Sequence, residues 1–428
     1  MAWFARKKQE PIEEEVVEEP TLPDPPAVDD AGLRGVHDHL DYLLGLVEPL
    51  KPFGMSLLEA WDQVMCEDID SMINVPPNST ARVEGYAVRA ADLLNDDGQL
   101  AEPLQIVDGE IERLPESSAY HVAAGEVLPR GANAVLPISF ATSEDGRATL
   151  LDKVAEGEYV RAAGEHLRLG TRLLSEGDVL DERAIGLLAG AGIDKVLVRP
   201  RPRVVIVSSG DRLVEPGADV QLGDTTDANS YMIAAAAKAA GAQVFRVAVH
   251  SNDRDEITQA ITDQLIRADF VISTTGGKRE DYEAVSAVMG ELGLVDNASV
   301  AMSPGRTQTF GLIGEDRVPM MMLPGNPISA YVTFYAFALP IIRQLMGLKP
   351  EHRAVRAIAE VGLRSVKGQM HLLRGNVRQE GSVRYVTQVT EPHALGELAK
   401  TNALILLDEN VETVRAGEAV KIWEFDED

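Results

Sequence analysis

The feature of this sequence that most limits its fold is a regular alternation, between residues 203 and 347, of short apolar runs and longer helical segments. Four apolar runs have the length and composition of buried strands: "RVVIVSS", "QVFRVAVH", "DFVISTT" and "VPMMML". The segments that follow them are typical of helices: "ANSYMIAAAAKAAGA", "DEITQAITDQLIRA", "EAVSAVMGELG" and "PISAYVTFYAFALPIIRQLM". This alternation predicts an α/β domain with a parallel sheet covered on both faces. Such sheets bind ligands beyond the carboxyl ends of their strands.

The flanking segments follow other patterns. Residues 9–30 are acidic and proline-rich without a helical or strand period, which predicts a disordered tail or interaction arm. Farther along, Ser56 and Glu59 have the capping-box spacing that predicts a helix at "SLLEAW". Short strands broken by Gly, Pro and Asp fill residues 75–199 and return after Pro350. We therefore predict mixed α+β and β-rich material before the α/β domain and a small β-barrel after it.

Composition excludes several classes of partner. The formal net charge of −28 argues against a general affinity for nucleic acid or anionic lipid. The single cysteine, Cys66, rules out an intrachain disulfide and fits a reducing, cytoplasmic compartment. We identify no apolar stretch of about 18 residues and therefore expect no direct membrane span.

Three loops leave the predicted strand ends and could carry chemistry. They are "SSGDRL" with Ser209, Gly210 and Asp211, "TTGGKRED" with Thr275, Gly276, Gly277 and Lys278, and "LPGNPIS" with Pro324, Gly325, Asn326 and Pro327. Glycines and small hydroxyls supply the bare N–H groups of an anion site, and a helix that starts at an Asn-Pro pair adds free N–H donors. Each loop alone is also an ordinary turn or helix start. Together on one rim they predict a pocket for a phosphorylated compound.

The order of these and other segments resembles the molybdopterin molybdenumtransferase family, which includes the MoeA proteins and the E domain of gephyrin. The resemblance runs from about residue 35 to 428 and rests on "EGYAVRAADL", "AAGEVLPRGANAVLP", "RAAGEHLRLG", "SSGDRL", "TTGG", "MSPGRTQTFG", "LPGNPISA", "LLRG" and "TNALILL". It is most similar to the actinobacterial gephyrin-like branch. The family's enzymes insert molybdate into the dithiolene of adenylylated molybdopterin and release AMP with the help of Mg²⁺.

The resemblance also implies an elongated homodimer of four-part subunits. We divide the chain accordingly into an acidic tail, an elongated dimerising domain, an inserted β-rich domain, the α/β domain of molybdopterin-binding type and the C-terminal β-barrel. These comprise residues 1–34, residues 35–74 with 159–199, residues 75–158, residues 200–349 and residues 350–428.

Site residues follow from the same resemblance. Catalytic roles fall to Asp211, Glu165, Asp281 and Glu84, of which Asp211 and Glu84 would hold Mg²⁺. The residues expected to bind molybdopterin or molybdate are Ser209, Gly210, Thr275, Gly276, Gly277, Lys278, Pro304, Gly305, Arg306, Pro324, Gly325, Asn326, Pro327 and Arg374.

Several of these positions depart from the family pattern. Glu84 stands where the family has Asp, which would displace a metal-held carboxylate by about an ångström and can cost roughly 100-fold in rate. Ser303 replaces a lysine that faces molybdate, and Arg306 replaces a second lysine. The second loop is shorter and more charged than in the family, with Lys278 and Arg279 still able to bind a phosphate. These changes predict an impaired active site.

Two hypotheses result. The preferred one is a dimeric, gephyrin-like scaffold that binds a peptide tail, either of the division protein FtsZ or of a membrane-linked receptor, and is recruited from the cytoplasm to the division site. Its groove would lie around Pro327–Tyr335 and the terminal barrel. The alternative is an active molybdenumtransferase in molybdenum cofactor biosynthesis.

Overall fold

The structure, a computed structural model, describes residues 21–389 and 395–425. These residues form two compact units. One unit comprises residues 50–200, and the other comprises the described residues before and after that range. The predicted division into five segments stays a prediction, and most of the predicted acidic tail lies outside the described residues.

A six-stranded mixed sheet forms the centre of the larger unit. Its strands, in spatial order, are Gln243–Val249, Arg203–Ser209, Phe270–Thr275, Val318–Met322, Thr307–Ile313 and Gly293–Ser299. The first four are parallel, as the alternation predicts, and the last two join the sheet through antiparallel pairings that the sequence did not reveal. The predicted α/β fold is confirmed, with a sheet that is mixed instead of wholly parallel.

Helices cover both faces of this sheet. They are Asn229–Ala239, Arg254–Leu265, Arg279–Leu292 and a continuous helical segment composed of Pro327–Thr333, the π-helical Phe334–Ala338 and Leu339–Leu345. Side chains such as Val205, Ile257 and Val288 pack into one fully buried cluster between sheet and helices. Burial of this kind is the main stabilising contribution to such a domain.

The last of these helices is long enough, at 19 residues, and apolar enough to cross a membrane by composition alone. The expectation that the chain contains no apolar stretch of about 18 residues is therefore wrong. In the structure, 72% of its most apolar window is buried inside the protein, which is the environment of a core helix. Pro340 lies near the start of its final segment, and Asn326 caps its first turn.

A buried ion pair fixes the N-terminal helix Val36–Gly45 to the α/β domain. Arg34 donates to both carboxylate oxygens of Asp296 at 2.7 and 3.1 Å and to His39 Nδ1 at 3.1 Å. Gln344 adds hydrogen bonds to the backbone carbonyls of Leu44 and Val47 at the end of that helix. The helix therefore packs with the unit that contains the α/β domain.

The C-terminal segment closes into the predicted barrel. Its five strands are Val355–Ala359, Met370–Glu380, Val383–Gln388, Ala403–Leu407 and Ala419–Glu424. Closure comes from the Met370–Glu380 strand, which pairs with both Val383–Gln388 and Ala403–Leu407. Smaller elements complete it: Leu363–Arg364, Thr413–Val414 and the short helix Leu395–Leu398.

The other unit is β-rich, as predicted. Its six-stranded sheet runs in the order Ala134–Pro137, Gly85–Val88, Ser118–Val122, Leu104–Ile106, Arg147–Leu150 and Ala141–Glu144. Shorter pairs are Phe53–Ser56 with Lys195–Val198, Ile69–Asp70 with Arg172–Leu174, and Thr80–Ala81 with Val160–Arg161. Its α-helix, Glu182–Gly190, is capped by Asp181 and corresponds to the predicted helical insert.

The helix predicted at "SLLEAW" is wrong. Ser56 ends the Phe53–Ser56 strand, and residues 57–62 form turns. The capping-box pair does meet, since Ser56 Oγ donates to Glu59 Oε2 at 2.7 Å, but the contact closes a turn. Pairing of Phe53–Ser56 with Lys195–Val198 overrides the local helical signal.

Candidate functional site

The three predicted loops lie side by side. They follow the strands Arg203–Ser209, Phe270–Thr275 and Val318–Met322, which are consecutive neighbours in the sheet and end at the same edge. The sequence prediction of one rim built from three loops is therefore confirmed for the α/β domain.

The second and third loops touch through their glycines. A Cβ at Gly325 would lie 2.4 Å from Gly277 Cα and 2.6 Å from Gly277 N, so no larger residue fits there. Gly277 itself has a φ of 93°, in the region that glycine adopts most readily. The backbones of the second and third loops are therefore in direct contact.

A lysine and an aspartate connect the first loop to the second. Lys278 Nζ donates to Asp211 Oδ1 at 3.0 Å, and about half of each side chain remains exposed. The hydrogen bond from Lys278 holds the pKa of Asp211 below its ordinary value. Asp211 is therefore ionised at neutral pH, as a ligand for a cation must be.

The charged part of the second loop belongs to a helix. Lys278 is the N-cap of Arg279–Leu292, so this helix begins four residues before the "EAVSAVMGELG" segment that its periodicity predicts. The positive end of the helix faces the loops and favours anions.

Asp281, in the first turn of that helix, is only 2% exposed. Its Oδ1 accepts a hydrogen bond from Asn252 Nδ2 at 2.7 Å. Its Oδ2 would lie 3.0 Å from a Cβ at Gly276 and 3.2 Å from one at Gly210, so the carboxylate fills the space that the missing side chains leave. Asp281 therefore packs against Gly210 of the first loop and Gly276 of the second loop.

Polar side chains without partners concentrate at these strand ends. Within the part of the chain that the structure describes, the buried hydroxyls of Ser208, Ser209, Ser273, Thr274 and Thr275 make no hydrogen bond. Buried polar atoms are normally paired, and leaving one unpaired costs about 1–3 kcal/mol. A cluster of them at the edge of a sheet is typical of a binding site.

A cleft of about 860 Å³ opens beside the loops. Three cationic side chains line it: Lys278, Arg279 and Arg306. Arg279 pairs with Glu283, whereas no acidic side chain among residues 21–389 and 395–425 pairs with Arg306. The remaining lining residues include Thr275, Gly277, Gly305, Pro324, Gly325 and Ser329. The cleft is large enough for a nucleotide-sized anion and has the charge to attract one.

Two smaller cavities adjoin the third loop. One, of about 130 Å³, is lined by Ser303, Pro304, Asn326 and Arg374 among others. The other, of about 280 Å³, is lined by Asn229, Gly276 and Pro327 among others. The predicted binding residues in the larger unit thus line the cleft and its two side cavities, with Ser209 and Gly210 at the end of the first strand.

Glu84 and Glu165 lie in the unit formed by residues 50–200. Glu84 Oε1 is 3.3 Å from His121 Nε2, and its side chain is exposed. Glu165 pairs with Arg82 and accepts a hydrogen bond from the backbone of Ala162. Their proposed roles stay predictions.

No preformed metal cluster occurs in the described part of the chain, where no group of three or more His, Cys, Asp or Glu side chains could hold an ion. Mg²⁺ differs from most metals because it is often held by one or two carboxylates together with substrate phosphates. The ionised, half-exposed Asp211 meets that requirement.

Sequence reasoning missed two residues of the site, Asn229 and Asn252. Asn229 donates to the carbonyl oxygen of Gly325 in the third loop, and Asn252 donates to Asp281 Oδ1. The only available signal was an asparagine at the start of a helix, "DANSYM", which is more often an ordinary cap.

Three family models match consecutive parts of the chain. The MoeA N-terminal region (domain I and II) matches residues 34–192. The probable molybdopterin binding domain matches residues 205–344, and the MoeA C-terminal region (domain IV) matches residues 356–425.

Whole-length relatives agree with these matches. Molybdopterin molybdenumtransferase 1 of Mycobacterium tuberculosis (strain H37Rv) is 34% identical over 419 residues, which cover 91% of this chain and 98% of that protein. The molybdopterin molybdenumtransferase of Haemophilus influenzae is 30% identical over 386 residues, covering 87% and 93%. A solved MoeA protein of Pyrococcus horikoshii shares the fold, with a TM-score of 0.78, 23% identity and coverage of 92% and 99%.

Proposed function

The chain belongs to the molybdopterin molybdenumtransferase family, and we propose that it inserts molybdate into the dithiolene of adenylylated molybdopterin. Family membership implies that the chain handles molybdopterin and molybdate. The observation that carries the proposal is a cleft of about 860 Å³ that is lined by three cationic side chains and by the second and third loops. It lies beside strand ends whose buried hydroxyls have no partner among the described residues. In the proposed reaction, molybdenum bonds to the two dithiolene sulfurs while one molybdate oxygen leaves as water with the two thiol protons. A second water cleaves the phosphoanhydride to release AMP.

The cations of the cleft have distinct tasks in this proposal. Arg306, which no described acid neutralises, attracts a doubly charged oxyanion such as molybdate or a phosphate. Lys278 and the N-terminus of the Arg279–Leu292 helix bind a phosphate at the second loop. The touching glycines Gly277 and Gly325 let the ligand approach the backbone closely.

Magnesium enters the proposal as a partner of the phosphates. Asp211 would hold it, whereas the role that the resemblance implies for Glu84, a residue of the other unit, stays a prediction. When bound, the ion neutralises negative charge on the leaving phosphate. Lys278 is hydrogen-bonded to Asp211 in the structure. When substrate binds, Lys278 would leave this carboxylate and bind the substrate phosphate.

The scaffold hypothesis has less support than the enzyme. Relatives named as molybdenumtransferases cover almost the whole chain. The cleft has three cationic side chains, one of which is Arg306, although Ser303 replaces a lysine that the resemblance implies. Binding of an FtsZ or receptor tail, recruitment to the division site, cytoplasmic location and the homodimer all remain proposals.

A genetic test separates the two functions. The chain is expressed in a bacterium that lacks its own molybdenumtransferase, and the activity of a molybdoenzyme is measured. We expect the wild type to restore that activity and Asp211→Asn to restore less than a tenth of it. Arg183→Gln, which changes an exposed pair on the other unit, is the control and should behave as the wild type. No restoration by a folded, expressed wild type would contradict the proposal.

A further inference from the structure

Asn229 joins the two glycine loops through its side chain. It is the first residue of the Asn229–Ala239 helix and is 5% exposed. Its Nδ2 donates to the carbonyl oxygen of Gly325 at 2.8 Å and, more weakly, lies 3.5 Å from the carbonyl oxygen of Thr275. One amide group therefore holds a carbonyl from each of the two loops that touch.

The orientation of this amide is fixed by its partners. Both partners are backbone carbonyl oxygens, which only accept hydrogen bonds, so the amide must present its NH₂ group to them. The Oδ1 atom then faces the other way and has no partner among the described residues. Because an unpaired buried acceptor is unfavourable, an asparagine used only for packing would not be expected here. The arrangement indicates that the side chain is present for its two donors.

Holding a carbonyl also sets the direction of the N–H in the same peptide unit. A trans peptide is planar, and its C=O and N–H point in opposite directions. By holding the oxygens of Thr275 and Gly325, Asn229 turns the N–H groups of Gly276 and Asn326 away from itself. Within the described part of the chain, neither N–H donates a hydrogen bond. Two oriented and unpaired donors from adjacent loops match the oxygens of a phosphate.

We propose that Asn229 is a positioning residue that orients the N–H groups of Gly276 and Asn326 toward a phosphate of the substrate. The inference rests on the proposed function, because the phosphate is that of the adenylylated compound. Asn229 itself does not line the 860 Å³ cleft, but it lines the adjoining cavity that shares Thr275, Gly277 and Gly325 with it. It acts through the loops and not by contact with the reacting atoms.

Calorimetric titration with AMP tests this role independently of catalysis. We expect Asn229→Ala to bind AMP about tenfold more weakly than the wild type, because the two peptide units lose their fixed orientation. Asn229→Asp keeps the shape but replaces the donor group by an acceptor that repels both carbonyls. It should therefore bind AMP no better than Asn229→Ala, whereas a residue needed only for packing would be rescued by this near-isosteric change.

Asn402→Ala is the matched control. Asn402 lies in the barrel and also bridges backbone groups, accepting from Val377 N at 2.7 Å and donating to Val377 O at 2.9 Å. Its loss should cost comparable stability and leave AMP binding unchanged.

The outcomes separate this inference from the proposed function. Unchanged AMP affinity in Asn229→Ala, wild-type affinity in Asn229→Asp or no AMP binding by the wild type would each overturn the inference. Loss of folding in both Asn229 variants, with Asn402→Ala folded, would also overturn it by showing a purely structural role. A wild type that needs Asn229 to bind AMP but inserts no molybdenum would overturn only the proposed function.

Discussion

At the scale of single residues, the departures from the family pattern redistribute positive charge without abolishing it. Ser303 stands where the resemblance implies a lysine, and it lines the small cavity that also contains Arg374. Arg306 keeps a cation in the cleft, and Lys278 with Arg279 adds two at the second loop. Lys278 and Arg279 are paired with Asp211 and Glu283, so Arg306 is the cation that we propose attracts molybdate or a phosphate.

Restoring the missing cation tests this view. Ser303→Lys should strengthen molybdate binding by roughly ten- to a hundredfold, since a charge-assisted hydrogen bond contributes roughly 1.5–3 kcal/mol and each 1.4 kcal/mol is about a factor of ten. Calorimetric titration with molybdate measures the change. Ser303→Met supplies a side chain of similar length without the charge and should give no gain. Equal affinities for wild type and Ser303→Lys would show that position 303 is not where molybdate binds.

At the scale of elements, the contact between the second and third loops at Gly277 and Gly325 tolerates substitution least. A methyl group at Gly325 would collide with the Gly277 backbone, which nothing flexible can relieve. Gly325→Ala should therefore separate the loops and lower kcat/KM for molybdenum insertion by about 100-fold, the usual effect of misplacing a site by an ångström.

A second glycine provides the control for that variant. Gly290 is exposed within the Arg279–Leu292 helix and has open space where a Cβ would be added. Gly290→Ala should leave kcat/KM unchanged and raise the free energy of unfolding by about 0.5–1 kcal/mol. Wild-type kcat/KM in Gly325→Ala would contradict the importance of the loop contact.

The N-terminal helix gives a prediction about pH. Burial, together with the positive charge of Arg34, lowers the pKa of His39 from 6.5 to about 4. The unfolded chain therefore takes up a proton at His39 below pH 6.5, while the folded protein does not until about pH 4. The stability that a neutral His39 contributes is fully present above pH 6.5 and is lost as the pH falls toward 4.

Unfolding in guanidinium chloride at pH 7 and pH 5 measures this effect. His39→Asn keeps an acceptor for Arg34 but cannot titrate, so its loss of stability between these pH values should be smaller than that of the wild type by roughly 2 kcal/mol. His37→Asn, an exposed change on the same helix, should keep the wild-type pH dependence. Parallel pH profiles for the wild type and His39→Asn would show that His39 does not titrate as described.

The sequence predicted the four parallel strands because each is dominated by apolar residues. Three of them are almost wholly buried, as strands of a sheet covered on both faces are expected to be. It missed Gly293–Ser299 and Thr307–Ile313, which join through antiparallel pairings and whose composition is mixed and includes Gly, Asp and Thr. It also read the charged start of the Arg279–Leu292 helix as loop. The helix predicted at "SLLEAW" is wrong because pairing with Lys195–Val198, a strand distant in the sequence, decides the structure of that segment.

The same distinction applies to the site. The rim loops could be predicted because parallel strands end at a common edge, and local composition marks those ends. The role of Asn229 could not, since it depends on carbonyl groups 46 and 96 residues away in the chain. Contacts of this kind leave no periodic signal in a single sequence.

At the scale of the whole molecule, a strongly acidic chain presents a cationic cleft. The net charge of −28 would repel an anionic substrate at long range, but salt screens that repulsion, and Arg306 in the cleft has no acidic partner among the described residues. The closed barrel and the mixed sheet are shared with a solved MoeA protein, so the frame is that of the family. What distinguishes an enzyme from a scaffold on this frame is whether the cleft still performs chemistry.

That question is tested most directly by calorimetric titration of the full chain with adenylylated molybdopterin and molybdate in magnesium buffer, with AMP measured in the same sample. The family assignment and the cationic cleft predict micromolar or tighter binding followed by release of AMP. A folded protein that gives neither heat nor AMP would contradict the enzymatic function and would favour the scaffold.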